Sequence, residues 1–326
     1  MVVERPTQLS IGGRSLPLPV YFPSISSIKT ALRPQDYLQL LSSLVGLNGQ
    51  FLVSAFDLAN IENPSSAGEG MAASRQDGAI ILMDSGNYES FWKDAQADWK
   101  QGHFHKVLKD FSCDLAFGFD EQCPPKDHKE HVDLIVKRWR ADQEAAGSCQ
   151  IIPIVHAAAS ELPELCAAIA TETGVTMLAV AERKLGDGIL ERARAIRAIR
   201  TEMDKLDRYV ALHLLGTGNP ISITIYSTMG ADSFDGLEWC QTVVDHDTAL
   251  LYHLSQADFF VGQTAWGDAG LSFQARTLAH NLEFFTNWMC RLRNAINQGR
   301  LSEFCRANLP GRAFQHCANA NGWSTS

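Results

Sequence analysis

No two of the eight cysteines are spaced as a CxxC pair; they stand singly at positions 113, 123, 149, 166, 240, 290, 305 and 317. That argues against a disulfide framework and against a zinc ribbon, and leaves reduced, mostly buried thiols as the plain reading. No run of about 18 uninterrupted apolar residues occurs, so neither a transmembrane helix nor a membrane partner is expected. The opening MVVERPTQLS lacks the apolar core of a signal peptide, and a cytoplasmic location is the expectation. Basic charge is in short supply: 28 Lys and Arg face 37 Asp and Glu, for a net charge of −9. This disfavours a protein that holds nucleic acid mainly through a broad basic surface, though not an enzyme with a local basic cleft. Low-complexity blocks and obvious linkers are also missing.

What is present is an ordinary globular composition, 45% apolar and 20% charged over 326 residues. LSIGGRSLPLPVYF carries a Gly-Gly turn between short β-like runs and reads as a hairpin. IKTALRPQDYLQLLSSL reads as a helix. Apolar runs then recur as strand candidates at 19–26, 51–58, 78–85, 113–120, 150–157, 176–182, 208–216 and 232–239. They are continuous rather than alternating, as expected of strands buried on both faces. Helical segments lie between them. In DGILERARAIRAIRTEMDKL, Ile189, Ala193, Ile196, Ile199, Met203 and Leu206 recur at spacings of three and four. ARTLAHNLEFFTNWMCRLRNAINQGR ends in a plausible Gly299 cap. Eight strands with intervening helices predict an α/β (β/α)8 TIM barrel with an N-terminal β hairpin. Residues 64–77, PSSAGEGMAASRQD, read as a Gly/Ser-rich loop, either covering a site or forming mobile surface. Residues 1–304 are expected to form one barrel domain, and 305–326 a polar, loosely packed tail.

In such a barrel, catalytic groups sit at the C-terminal strand ends. Those ends carry Asp84-Ser85-Gly86-Asn87-Tyr88, Asp120-Glu121, His156, Ala181-Glu182, Gly216-Thr217-Gly218, and Asp232 with Asp235. Any one strand-end Asp can simply cap the next helix. Their recurrence suits a polar planar ligand: carboxylates accept from ring N–H groups, glycines admit backbone groups, and an aromatic ring stacks. Two carboxylates also suit displacement at a sugar carbon.

The order of these motifs resembles the tRNA-guanine transglycosylase superfamily over residues 8–304. MDSGNY resembles the family's DSGG-aromatic motif, which implies Asp84 as general acid/base, Ser85 in the base pocket and Tyr88 stacking on the base. GFDE resembles AFDE and implies Asp120 as reader of the guanine edge. PIVHAA resembles IVQGG, with His156 in place of a Gln. MLAVAE resembles GLAVGE and places Leu178 and Glu182 beside the pocket. LHLLGTGNP resembles YLMGVG-P and places Leu215 and Gly216 on the base's other face. GADSFDG resembles GVDMFDC and implies Asp235 as nucleophile. LAHNLEFF and RLRNAINQGRLSEF resemble the family's closing helix. The resemblance implies exchange of guanine for a 7-deazaguanine in a polynucleotide through a covalent Asp glycosyl-enzyme intermediate.

The departures shape the expectations. The family zinc site uses a CxCxxC cluster and the His of an HN motif. Here His280-Asn281 is kept, but 241–255 has no cysteine, so no metal or other cofactor is expected and the zinc subdomain is cut down. A site from Cys240, His246, His253 and His280 is the conceivable exception; otherwise His280 is a packed or capping residue. The family's RNA-gripping PTRxAR is replaced by the acidic LEWCQTVVDHD. A non-standard acceptor is therefore favoured over ordinary tRNA. The chain resembles the DpdA-like branch that acts on DNA, or the transglycosylase-like protein of type IV CBASS antiphage operons. A protein partner, and a homodimer through Phe284, Phe285 and Trp288, are further candidates; the alternative for those side chains is packing on the barrel's own helices. Two other functions compete: a catalytically silent subunit that binds free 7-deazaguanine, and a retaining glycosidase on a small sugar.

Overall fold

In the computed structural model, which describes all residues except 1–3, 29, 45, 48, 96, 97, 325 and 326, the chain forms a (β/α)8 barrel. A hairpin of β1 (Gln8–Ile11) and β2 (Arg14–Pro17) comes first, turning through Gly12 and Gly13, both with positive φ. The barrel strands follow: β3 (Val20–Ile25), β4 (Gln50–Ser54), β5 (Ile80–Asp84), β6 (Leu115–Phe117), β7 (Gln150–Ile152), β8 (Ile154–Val155), β9 (Met177–Ala181), β10 (Ala211–Leu215) and β11 (Ser233–Gly236). Every pairing among them is parallel, in the order β7-β6-β5-β4-β3-β11-β10-β9-β8. The run at 150–157 is one strand position split in two, because Pro153 has no N–H to give the ladder. β7 pairs with β6 on one side and β8 with β9 on the other, which brings the ring round.

The alternation of buried side chains separates two layers. Val20, Phe22, Leu52, Leu82, Leu115, Phe117, Ile152, Met177 and Ala179 fill the barrel, floored by Leu9, Ile11, Leu16 and Leu18 of the hairpin region. Phe51, Val53, Ile81, Met83, Leu178, Val180, Leu212, Leu214 and Phe234 face outward into the larger cluster shared with the helices.

Several elements differ from expectation. The first helix is only α1 (Pro34–Ser43), since Pro34 sits in its first turn and the preceding Arg33 is extended. The strand expected at 51–58 stops at Ser54, and Ala55–Ala59 forms α2. The supposed loop 64–77 is α3 (Pro64–Gln76): the Asn63 side chain accepts from the Ser66 N–H, Pro64 occupies the first turn, and Ala67, Met71 and Ser74 are buried. Its small residues gave little periodic signal.

Further along the chain come α4 (Asn87–Trp92), α5 (Gln101–Asp110), α6 (His128–Ala146), α7 (Leu162–Thr173), α8 (Ile189–Met203) and α9 (Pro220–Met229). After β11 the chain turns into α10 (Glu238–Gln241), which shortens the strand expected to reach 239. The hairpin β12 (Thr242–Val244) and β13 (Leu251–His253) and short 3-10 turns follow α10. α11 (Phe273–Asn297) buries Phe284, Phe285 and Trp288, so these rings pack on the chain's own core. Gly299, just past its end, has φ +66°.

The expected loose tail is instead α12 (Leu301–Asn308) and α13 (Gly311–Asn321). The boundary at 304 falls inside α12. Phe314, Cys317 and Ala318 are buried, and Arg197 donates to the Asn321 side chain at 2.6 Å. No helix among the described residues is long and apolar enough to cross a membrane.

Candidate functional site

Asp235 is the penultimate residue of β11, with its side chain turned to the barrel interior. Three donors hold its carboxyl: Ser24 Oγ at 2.9 Å on one oxygen, and the Gly216 N–H at 3.0 Å and His213 Nε2 at 3.1 Å on the other. His213 is fully buried in β10, and its Nδ1 meets Ser233 Oγ at 2.7 Å. A carboxylate can only accept, so His213 Nε2 carries the proton that faces Asp235. The carboxylate is thus held in one orientation by β3, β10 and the turn after β10. Gly216 serves it through its backbone and has φ +78°, a conformation that favours glycine.

Asp84 closes β5, and one of its oxygens accepts from the Gly86 N–H at 3.0 Å. Gly86 has φ +87°, and a Cβ there would lie 2.6 Å from the backbone nitrogen of Phe56. The turn that presents Asp84 therefore needs glycine. Burial first, and then the charges of Glu89, Asp120 and Asp235, push the Asp84 carboxyl well above the usual carboxylate range. Glu89 lies deeper, accepts from Ser26 Oγ at 2.7 Å, and is pushed up to about 7, chiefly by burial and the Asp57 charge.

Asp120, just past β6, has a buried side chain. It accepts from Asn87 Nδ2 at 2.5 Å, from Gln122 Nε2 and from His156 Nε2 at 2.5 Å. Asn87 and His156 thereby join the mouths of β5, β6 and β8. His156 is 5% exposed, and its Nδ1 is buried with no hydrogen-bond partner. Tyr88 stands on α4 at the mouth, 41% exposed, edge-on to Trp92 with ring centres 6.3 Å apart.

The remaining expected residues divide. Ser85 is buried, and its carbonyl accepts from Trp99 Nε1 at 3.0 Å. Glu182 follows β9 and is held by Tyr226 Oη at 2.9 Å and Arg192 at 2.9 Å. Leu215 packs against the interior cluster. Leu178 does not join the site: it is fully buried mid-strand in the helix-facing layer. Asp232 is not at the mouth either. It precedes β11 at the opposite end, bound to Arg5 at 2.8 Å, Tyr209 Oη at 2.7 Å and the Leu212 N–H at 2.9 Å.

One acidic group escaped the sequence reading. Glu238 sits in the first turn after Asp235, in space left by two glycines. A Cβ at Gly218 or Gly236 would lie 2.1 or 2.3 Å from its Oε2. Burial, aided by Asp235 and Glu182, pushes its carboxyl up to about 7. The pair of glycines flanking the strand ends was the available signal.

The residues weighed for a rearranged metal site do not fit one. Cys240 Sγ points to the Leu237 carbonyl at 3.2 Å, and His253 bonds Ser255. His280 is fully buried between the Val244 carbonyl at 2.8 Å and Thr264 Oγ1 at 3.3 Å, with the His246 ring 4.2 Å away. Burial pulls His280 down to about 4. Among the described residues no group of three or more His, Cys, Asp or Glu is arranged to hold a metal ion. Neither a protein-family model nor a curated protein sequence matches the chain.

Proposed function

We propose that this barrel exchanges guanine for a 7-deazaguanine by double displacement at C1′ of a nucleoside in a nucleic acid strand. The observation that carries the reading is the contrast between two carboxyls at one mouth. Asp235 is held by three donors, whereas Asp84 is desolvated and ringed by acidic groups that favour its protonated form. The first suits a nucleophile and the second a proton donor.

In the first step an Asp235 oxygen attacks C1′, the C1′–N9 bond breaks, and guanine leaves with the proton supplied by Asp84. In the second, Asp84 takes the N9 proton of the entering base, whose nitrogen attacks C1′ and expels Asp235. Two inversions restore the starting configuration. Asp120, with His156 behind it, offers acceptors to the N–H groups of the base edge, and Tyr88 covers the ring. The target base has to leave its stack to enter. Ordinary tRNA is the less favoured acceptor, since the acidic segment after Asp235 offers phosphates little.

The test is incorporation of labelled 7-cyano-7-deazaguanine into tRNA, duplex DNA and single-stranded DNA offered separately. Label is expected in one polymer with the unaltered protein and in none with Asp235→Asn. Label in no polymer, together with tight binding of the free base, would replace this proposal with a silent base-binding subunit.

A further inference from the structure

Beside the Asp120–His156 edge opens a cleft of about 450 Å³ between the loops after β6 and β8. Its walls include Lys126, His128, His131, His156, Glu161 and Lys184. In a chain of net charge −9 this lining is unusual: two ammonium groups and three imidazoles against one carboxylate. Neither lysine is in an ion pair with a described residue. Glu161 is turned back on its own loop, where it accepts from the Ala158 N–H at 3.3 Å. His131 is 4% exposed, lines the cleft and makes no side-chain hydrogen bond to a described residue. His156 Nδ1 is itself buried without a hydrogen-bond partner among the described residues. Buried polar groups are ordinarily satisfied, so the unpartnered His156 Nδ1 on the cleft wall points to a missing ligand. The first turn of α6 faces the same cleft through His128 and His131, adding the positive end of a 19-residue helix, partly offset by its capping Asp127.

We propose that this cleft is an oxyanion subsite, continuous with the base-reading edge through His156, that takes a carboxylate or phosphate group. It rests on the base-exchange reading only for what the oxyanion is attached to. Lys126 and Lys184 supply charge from the rim. His131 supplies a hydrogen bond from the wall. Burial pulls His131 below its usual value, which favours the neutral ring, itself an N–H donor. The volume exceeds that of a lone oxyanion, and a group joined to the base or to its nucleotide fills it better than a free ion.

The experiment is calorimetric titration of the full chain with four probes: inorganic phosphate, guanine, guanosine 5′-monophosphate, and a 7-deazaguanine bearing a 7-carboxylate. The same titrations are run on the Lys126→Ala/Lys184→Ala double variant and on His131→Phe. At least one of the two anionic compounds is expected to bind tenfold or more tightly than guanine, and which one does so identifies the source of the oxyanion. The double variant is expected to erase that gain and weaken phosphate binding by a similar factor, leaving guanine affinity within twofold. Equal affinities for anionic and neutral compounds, or a gain that survives in the double variant, would overturn the subsite. Loss of lysine-dependent phosphate binding in the variant, with no guanine binding by either protein, would uphold the subsite and count against the base-exchange reading instead.

Discussion

At the residue scale the site is a problem in placing acids close together. Asp84, Glu89 and Glu238 all hold their protons more tightly than in water, chiefly because burial penalises the ionised form. Glu238 gives a clean test. Its carboxyl moves from an ordinary 4.5 to about 7, so between those values the folded chain binds more protons than the unfolded one. Stability then falls as pH rises through this window. Glu238→Gln keeps an acceptor for its neighbours and removes the titration. Its melting temperature is expected to match the unaltered protein below pH 4.5 and exceed it by a few degrees at pH 8; equal curves at both pH values would contradict this. Asp84, Asp120 and Asp235 were visible in the sequence because each ends an apolar run, where a charge has no place in the core. His213 and Ser24 were not. A lone His between leucines reads as core, and nothing local says that it reaches across strands to Asp235.

At the scale of elements, the strands were legible because double-sided burial demands continuous apolar runs. Their lengths were not, since Ser54 and Gly236 end strands in runs that stay apolar as helices. α3 and α13 were missed for one shared reason: Gly, Ala, Ser and Asn dominate both, and small residues pack without marking a face. α13 is nonetheless built into the fold. Phe314 is 8% exposed, and Cys317 lies 3.8 Å from Thr228 Oγ1 of α9. Phe314→Ala is expected to cost about 3 kcal/mol in chemical denaturation. A change near zero would mean that the segment is the loose tail its polarity suggests.

At the scale of the whole molecule, the two ends of the barrel carry different duties. The floor holds Asp232 among Arg5, Tyr209 and the Leu212 N–H, while the mouth holds the carboxyls assigned to chemistry. Removing one partner of a buried charge network leaves the others unpaired, so Asp232→Ala is expected to lower stability by about 3–5 kcal/mol. Asp235→Asn, at the other end of the same four-residue strand, is expected to leave stability within about 1 kcal/mol by the same denaturation and remove exchange. Asp232 and Asp235 read alike in the sequence, three positions apart; only strand direction separates them.

The central claim is the covalent step at Asp235. The most direct measurement is intact-mass and peptide mass spectrometry of the protein, acid-quenched during reaction with guanine-containing DNA and RNA oligonucleotides. The account predicts a nucleic acid adduct on the peptide bearing Asp235, absent in Asp235→Asn. An adduct on another residue, or label exchange with unmodified Asp235 at every time point, would contradict it.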